Sequence, residues 1–173
     1  MRATGIRRDF CLRTEALRIG NAGKDGVMRT SAAYRVLSWT WGLPMTLVGY
    51  LTAGYLRLSG YRPGKWGGTT YFVVGKQWGG ISLGAVTLVS SADERLLTHE
   101  FGHSIQNCRW GLLYPPVILL PSVIRYWYRK AILHSGLRKK TELPGYYEIW
   151  FEAGADCLGR KAMETWGEGL TKQ

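Results

Sequence analysis

The chain has 173 residues, 46% hydrophobic and 13% aromatic. That is enough for one domain with a modest core and too apolar for a disordered chain. Its formal charge of +11 calls for an acidic partner, either nucleic acid or the anionic face of a bilayer. Cys11, Cys108 and Cys157 are an odd, widely spaced set without a CxxC pair, so neither a disulfide framework nor a thiolate metal site is expected. A Cys108–Cys157 bridge has no support in the pattern, and all three read as ordinary small residues.

Residues 1–34 are basic, contain several glycines and show little apolar periodicity. They read as a flexible leader. The stretch RRDFCLR has the paired arginines of an export signal, but the apolar run that should follow begins only at Val36 and no cleavage site is clear. Met28 is an alternative start, in which case the preceding residues are not a functional segment.

Residues 36–56, VLSWTWGLPMTLVGYLTAGYL, carry no charge and are bracketed by Arg35 and Arg57. At a helical rise of about 1.5 Å per residue this run can cross a hydrocarbon core of about 30 Å. Trp39, Trp41, Tyr50 and Tyr55 lie toward its ends, where interfacial rings sit. Residues 35–58 are therefore expected to form a membrane-spanning or membrane-inserted helix, with a buried or interfacial helix as the alternative. With the whole leader, its charge favours the N-terminus inside; starting from Met28 that bias reverses.

A turn-rich linker, SGYRPGKWGG, leads to TTYFVVG (69–75) and ISLGAVTLVSS (81–91), two β-branched runs joined by KQWGG. A β-hairpin is the expected arrangement. Gly84 interrupts the second run, marking a bulge or a place where another backbone comes close. Next, Ser91-Ala92-Asp93-Glu94 resembles a capping box opening a helix from about Ala92 to Arg109. Leu97, Phe101, Ile105 and Cys108 share one face of it and should pack on the hairpin.

Residues 111–130 join the proline-broken apolar run GLLYPPVILLPSVI to RYWYRK. This segment reads either as one that dips into a bilayer, pinned by Arg125, Tyr126, Trp127 and Tyr128, or as a buried loop under the active face. A last helix, from about Tyr146 to Trp166, carries YYEIWFEAGADCLG.

The chemistry concentrates in His99-Glu100-Phe101-Gly102-His103. Residues four apart share a helix face, so both imidazoles can reach one zinc ion, and Glu100 can take a proton from the water that zinc acidifies. Against this stands a chance match on an ordinary helix. A hydrolytic zinc needs a third protein ligand. Among the downstream acids Glu152 stands out, because Glu152 and Asp156 are four apart in an otherwise apolar stretch. Glu152 can complete a His, His, Glu set, and Asp156 can accept a ring N–H from a ligand histidine; the alternative is a solvated acidic face. Cations spread around apolar segments, with no recognisable binding helix, argue against nucleic acid.

HEFGH followed at a distance by ExxAD resembles the gluzincin branch of the zinc metallopeptidases. It is most similar to the membrane-associated prenyl-protein and heat-shock membrane endopeptidases, which combine HExGH and ExxAD with membrane segments. The matching residues are His99, Glu100, Gly102, His103, Glu152, Ala155 and Asp156. The chain is also similar to small bacterial proteins with HEFGHxIQN, PSxIRYWYR and WFE blocks. The resemblance implies one Zn2+ held by His99, His103 and Glu152, Glu100 as the base, and Asp156 orienting a ligand. It implies an α+β fold: a minimal zincin-like domain at 62–173, with a hairpin or small sheet packed on the HExxH helix and a C-terminal glutamate-bearing helix. In a zincin an extended substrate pairs with the sheet edge, and residues 81–89 with Gly84 are the nearest candidate. No motif marks the group that steadies the oxyanion; Tyr146, Tyr147 and His134 carry suitable chemistry.

The expected protein is thus a membrane-associated zinc metallopeptidase of a bacterial cell membrane, with a peptide substrate and anionic lipid as partners. Trp39, Arg125 and Trp127 are the expected interface residues. The alternative is a zinc-binding membrane protein without turnover.

Overall fold

In a computed structural model the described residues form five α-helices and a four-stranded mixed sheet. The structure describes residues 25–76, 78–136 and 149–170, with side chains from residue 32 to residue 164. In chain order the elements are α1 (Asp25–Trp39), α2 (Leu43–Leu58), β1 (Pro63–Trp66), β2 (Thr69–Val73), β3 (Gly80–Leu83), β4 (Val86–Val89) and α3 (Glu94–Trp110). A 3-10 turn (Gly111–Leu113) and a π-helical turn (Pro115–Leu119) lead into α4 (Leu120–His134), and α5 (Trp150–Leu170) follows. The α+β class is as expected.

The uncharged run at 36–56 is not one helix. It breaks between Trp39 and Leu43. Pro44 sits in the first turn of α2, where its missing N–H removes no bond. Gly42, just before it, has no room for a side chain: a Cβ there would lie 2.5 Å from Asn107 Nδ2. That amide instead donates to Gly42 O at 3.2 Å. α2 alone, at about 1.5 Å per residue, falls short of the roughly 30 Å of a bilayer core. No helix among the described residues is long and apolar enough to cross a membrane. The expected spanning helix over 35–58 is corrected accordingly.

The first two helices are also not a separate anchor. Tyr34 is buried against Phe101, and its hydroxyl pairs with Ser104 Oγ at 2.5 Å. Ala53 and Leu56 of α2 pack with Phe72 and Val86 of the sheet, while Met45 joins Leu83, Tyr114, Ile118 and Phe151. The leader boundary at residue 34 moves too, since α1 begins at Asp25; residues 1–24 lie outside the described residues.

Strand order is β1-β2-β4-β3. The expected hairpin between the two β-branched runs does not form. Instead β2 pairs parallel with β4, Thr70 opposite Val86 and Val73 opposite Val89. The second run folds on itself at Gly84, so that β3 pairs antiparallel with β4. Gly84 has φ +66°, a conformation that suits glycine in a two-residue turn. It is therefore not a bulge but the expected alternative, a place where another backbone comes close, and that backbone is α2 rather than a substrate: a Cβ there would lie 2.7 Å from Thr46 N. It is buried, and a Cβ there would lie 2.5 Å from Thr46 Oγ1, so its role is to let the turn seat against α2.

Phe101 and Cys108 of α3 are buried against Tyr34 of α1, with Trp66, Ile105, Ala162 and Met163 around them. The apolar face of α3 is therefore covered by α1, β1 and α5 as well as by the sheet. Cys108 carries a free thiol, which rules out the Cys108–Cys157 bridge. Cys157 is disulfide-bonded, which corrects its reading as an ordinary small residue.

Candidate metal centre

α3 starts two residues later than its sequence suggests. Asp93, not Ser91, caps it, accepting from Arg95 N and Leu96 N at 3.1 Å each. The helix then presents His99 and His103 one turn apart, with ring centroids 4.8 Å from each other and planes at 90°. Both rings are buried.

α5 crosses α3 at very close range, and glycine makes this feasible. A Cβ on Gly102 would lie 1.9 Å from Ala155 O, and one on Gly159 would lie 2.0 Å from Thr98 O. The main chains touch, and Glu152 is carried directly to the two histidines. Its Oε2 lies 3.1 Å from His99 Nε2 and 3.4 Å from His103 Nε2. One ligand atom from each of these three buried side chains falls within 4.8 Å of the others.

The surrounding hydrogen bonds fix which atoms face the centre. Gln106 Nε2 donates to Phe151 O at 2.7 Å, which turns its Oε1 toward His103 Nδ1 at 2.8 Å. Asp156 Oδ1 lies 2.7 Å from His99 Nδ1. Both acceptors require a proton on Nδ1, so in the neutral rings each Nε2 turns a lone pair inward. Glu152 Oε1 accepts from Ser122 Oγ at 2.5 Å, whereas the buried Oε2 makes no hydrogen bond.

Three lone pairs converging on one buried point repel each other unless a cation lies among them. The titration behaviour reflects this. Burial works against a charged His99, yet its contacts with Asp156 and Glu152 and the charge of Glu100 raise its pKa to about 10. Burial likewise works against the Glu152 carboxylate, but His103 and His99 hold its pKa well below the usual range. The donor set, the buried unbonded oxygen and the imposed tautomers together fit a metal ion.

Glu100 stands beside this centre. It is buried, and its Oε2 makes no hydrogen bond. Burial pushes its pKa up, with His103 and His99 opposing. Backbone of β3 lies directly on it, for a Cβ on Gly80 would be 2.6 Å from Glu100 Oε1. All three α3 residues line the floor of a cleft of about 810 Å3. One wall is the β3 edge, from Gly79 to Ser82. The other is the segment from Ile118 through α4, including Ser122, Tyr126 and Trp127.

His99, Glu100, His103, Glu152 and Asp156 thus come together as the motifs anticipate. Tyr146 and Tyr147 lie outside the described residues. His134 is exposed at the end of α4 and does not line the cleft. Trp127 is half-exposed on the cleft wall, Arg125 is partly buried on α4, and Trp39 stacks on Tyr50 at 5.1 Å. The segment at 111–130 is not a loop: its Tyr114 and Ile118 are core residues beneath the cleft.

Two participants were not assigned from sequence. Gln106 could equally face water, although its position three residues after His103 on a helix is the available signal. Ser122 is a lone hydroxyl in an apolar run and gives no signal. No protein-family model, curated protein or solved structure matches the chain.

Proposed function

We propose that the protein is a zinc metallopeptidase of the gluzincin type that works against a membrane surface. The observation that carries this reading is the convergence of His99 Nε2, His103 Nε2 and Glu152 Oε2 while both Nδ1 atoms are engaged elsewhere. Tetrahedral ligands about 2.0–2.1 Å from a zinc ion stand about 3.3–3.4 Å apart. The separations of 3.1 and 3.4 Å are close to that spacing. Three protein ligands leave a fourth position for chemistry.

When bound there, zinc supplies a Lewis acid for the scissile carbonyl and lowers the pKa of water toward neutrality. The other duties fall to the chain itself. Glu100, with its raised pKa, takes the proton from the attacking water and delivers it to the leaving amine. Asp156 and Gln106 keep the two imidazoles in the tautomer that presents Nε2. Ser122 holds the outer oxygen of Glu152. β3 is an outer strand of the sheet, so an extended peptide can pair along its open edge directly above Glu100.

Membrane contact is supported by apolar side chains that face outward. On α4, Leu120, Ile124 and Tyr128 recur every four residues on the side opposite the cleft, all more than half exposed. α4 carries Arg125, Arg129 and Lys130 and no acid. On α2, Leu51, Tyr55 and Leu58 are at least 70% exposed. Aromatic and aliphatic groups interleaved with cations suit the headgroup region of an anionic bilayer.

Zinc per chain and hydrolysis of casein test the reading together. The wild type should hold one zinc and cleave, while Glu152→Ala and His103→Ala should lose both properties. Stoichiometric zinc with no cleavage of casein or of membrane protein substrates would favour a structural zinc site, and no zinc would end the proposal.

A further inference from the structure

The open edge of β3 is free over only part of its length. The two-residue turn at Gly84 and Ala85 makes Leu83 and Val86 a hydrogen-bonded pair, and bonding toward β4 alternates from there. Gly79 keeps the same phase, its O accepting from Ser90 N at 2.8 Å. The main-chain N–H and C=O of Gly80 and Ser82 therefore point to the open edge. These are the two places on β3 where an extended peptide can pair. At Gly80 the strand lies on Glu100 and is partly exposed. At Ser82 the edge is already taken: Ser82 O accepts from the Tyr114 hydroxyl at 3.4 Å. Ser82 and Tyr114 are each only 1% exposed, and Tyr114 is locked in a buried cluster with Met45 and Ile118. Tyr114 thus closes the edge two residues past Gly80, about 7 Å along a strand. Glu100 marks the reacting end of that interval, so about two substrate residues fit between the scissile bond and Tyr114.

What faces the closed end decides which chain terminus suits it. The Ser82 hydroxyl is buried and makes no hydrogen bond. Glu100 and Glu152 are the charged groups that act on the Tyr114 phenol. Acceptors backed by carboxylates favour an ammonium group and repel a carboxylate. We propose that the cleft takes the free amino terminus of a peptide, with Tyr114 as the stop, and that the protein removes one or two residues from that terminus. Each turnover adds one water across a peptide bond, releasing an amino acid or dipeptide and a shortened peptide with a new amino terminus. The inference rests on the peptidase reading and adds to it a substrate class.

Binding and cutting separate this inference from the reading beneath it. Two nonapeptides of leucine and alanine carry fluorescein, one at the amino end and one at the carboxyl end. Each is titrated into zinc-loaded full-length Glu100→Gln protein. The peptide with the free amino end should bind about tenfold tighter or more. Equal binding, the reverse order, or no binding of either overturns the proposal. Tyr114→Leu should admit the amino-labelled peptide, while Tyr114→Phe, which keeps the ring, should still exclude it. Exclusion by a folded Tyr114→Leu protein overturns the assignment of the stop; if that variant does not fold, the two labels in the parent protein decide. With Glu100 restored, mass spectrometry of the unlabelled nonapeptide should show loss of one or two amino-terminal residues, and its backbone-cyclised form should stay intact. Cleavage of the cyclic form, or a first cut in the middle of the linear one, overturns the inference and leaves the peptidase standing. Ranked binding with no cutting refutes the peptidase and leaves the closed, terminus-binding cleft.

Discussion

Asp156 Oδ1 lies 2.7 Å from His99 Nδ1, although the two residues are on different helices and fifty-seven positions apart in the chain. The carboxylate reads the ring from outside the centre. It fixes the tautomer and raises the basicity of Nε2. Asp156→Ala is expected to weaken zinc binding by about 10–100-fold, measured by competition with a chelator of known affinity. Asp156→Asn should fall between the two, since its amide oxygen still accepts the Nδ1 proton without the charge.

Glu100→Gln separates binding from chemistry. The amide keeps the size of the side chain under Gly80 but cannot carry a proton through the reaction. Hydrolysis should drop by about 10²–10⁴-fold, with zinc content unchanged by atomic absorption. A variant with undiminished turnover would remove Glu100 from the role of base.

The crossing of α3 and α5 predicts opposite outcomes for two glycine-to-alanine changes. At Gly102 the new methyl collides with Ala155 O. Overpacking of that kind costs about 1–3 kcal/mol, and here it also moves Glu152 off the histidines. Gly54 of α2 has nothing within 4 Å of its would-be Cβ. There alanine should stabilise by about 0.4–1 kcal/mol. Urea denaturation compares the pair, and only Gly102→Ala should also lose zinc.

Without metal, stability should depend on pH in a definite sense. His99 is raised from 6.5 to about 10, so the folded state binds the proton more tightly than the unfolded state. Its contribution is fully present below about pH 6.5 and is lost as pH rises through 10. Glu152 is depressed, so its contribution is present above the unfolded carboxylate pKa and is lost as pH falls. The chelated protein should therefore unfold at lower urea at pH 10 than at pH 6.5. Zinc must displace the His99 proton, so zinc affinity should rise with pH across this window. A pH-independent urea midpoint for the chelated protein would contradict the linkage.

The exposed stripe on α4 makes the membrane proposal measurable. Full-length protein should sediment with phosphatidylglycerol vesicles and only weakly with phosphatidylcholine vesicles, more so at low salt. Ile124→Glu, on the face away from the cleft, should reduce sedimentation while leaving zinc content intact. Equal sedimentation of wild type and variant would remove α4 from the contact.

The ligand set was legible because its chemistry is local. Histidines four apart declare a shared helix face, and Glu152 with Asp156 stands out as a carboxylate pair in apolar surroundings. The sheet was not legible in the same way. Two β-branched runs separated by KQWGG satisfy the hairpin pattern, yet pairing is decided by what covers each strand, and α2 resting on the Gly84 turn divides the second run. The run at 36–56 shows a similar limit. Its uncharged length states that apolar area must be covered, but not whether lipid or Phe72 and Val86 will cover it. Ser122 and Gln106 act through tertiary contacts with Glu152 and Phe151, which no spacing rule encodes.

The near contact of Gly102 with Ala155 and of Gly159 with Thr98 sets the gauge of the centre. Between most packed helices lies a layer of side chains that can shift rotamers and absorb small errors. Here that layer is absent at the crossing, and the opening between the ligand helices is governed by atoms with no freedom to turn. Such a frame suits a small ion of fixed ligand distance and resists expansion around a larger one. Substitutions at these glycines would therefore be felt first as a displacement of Glu152 from the two histidines.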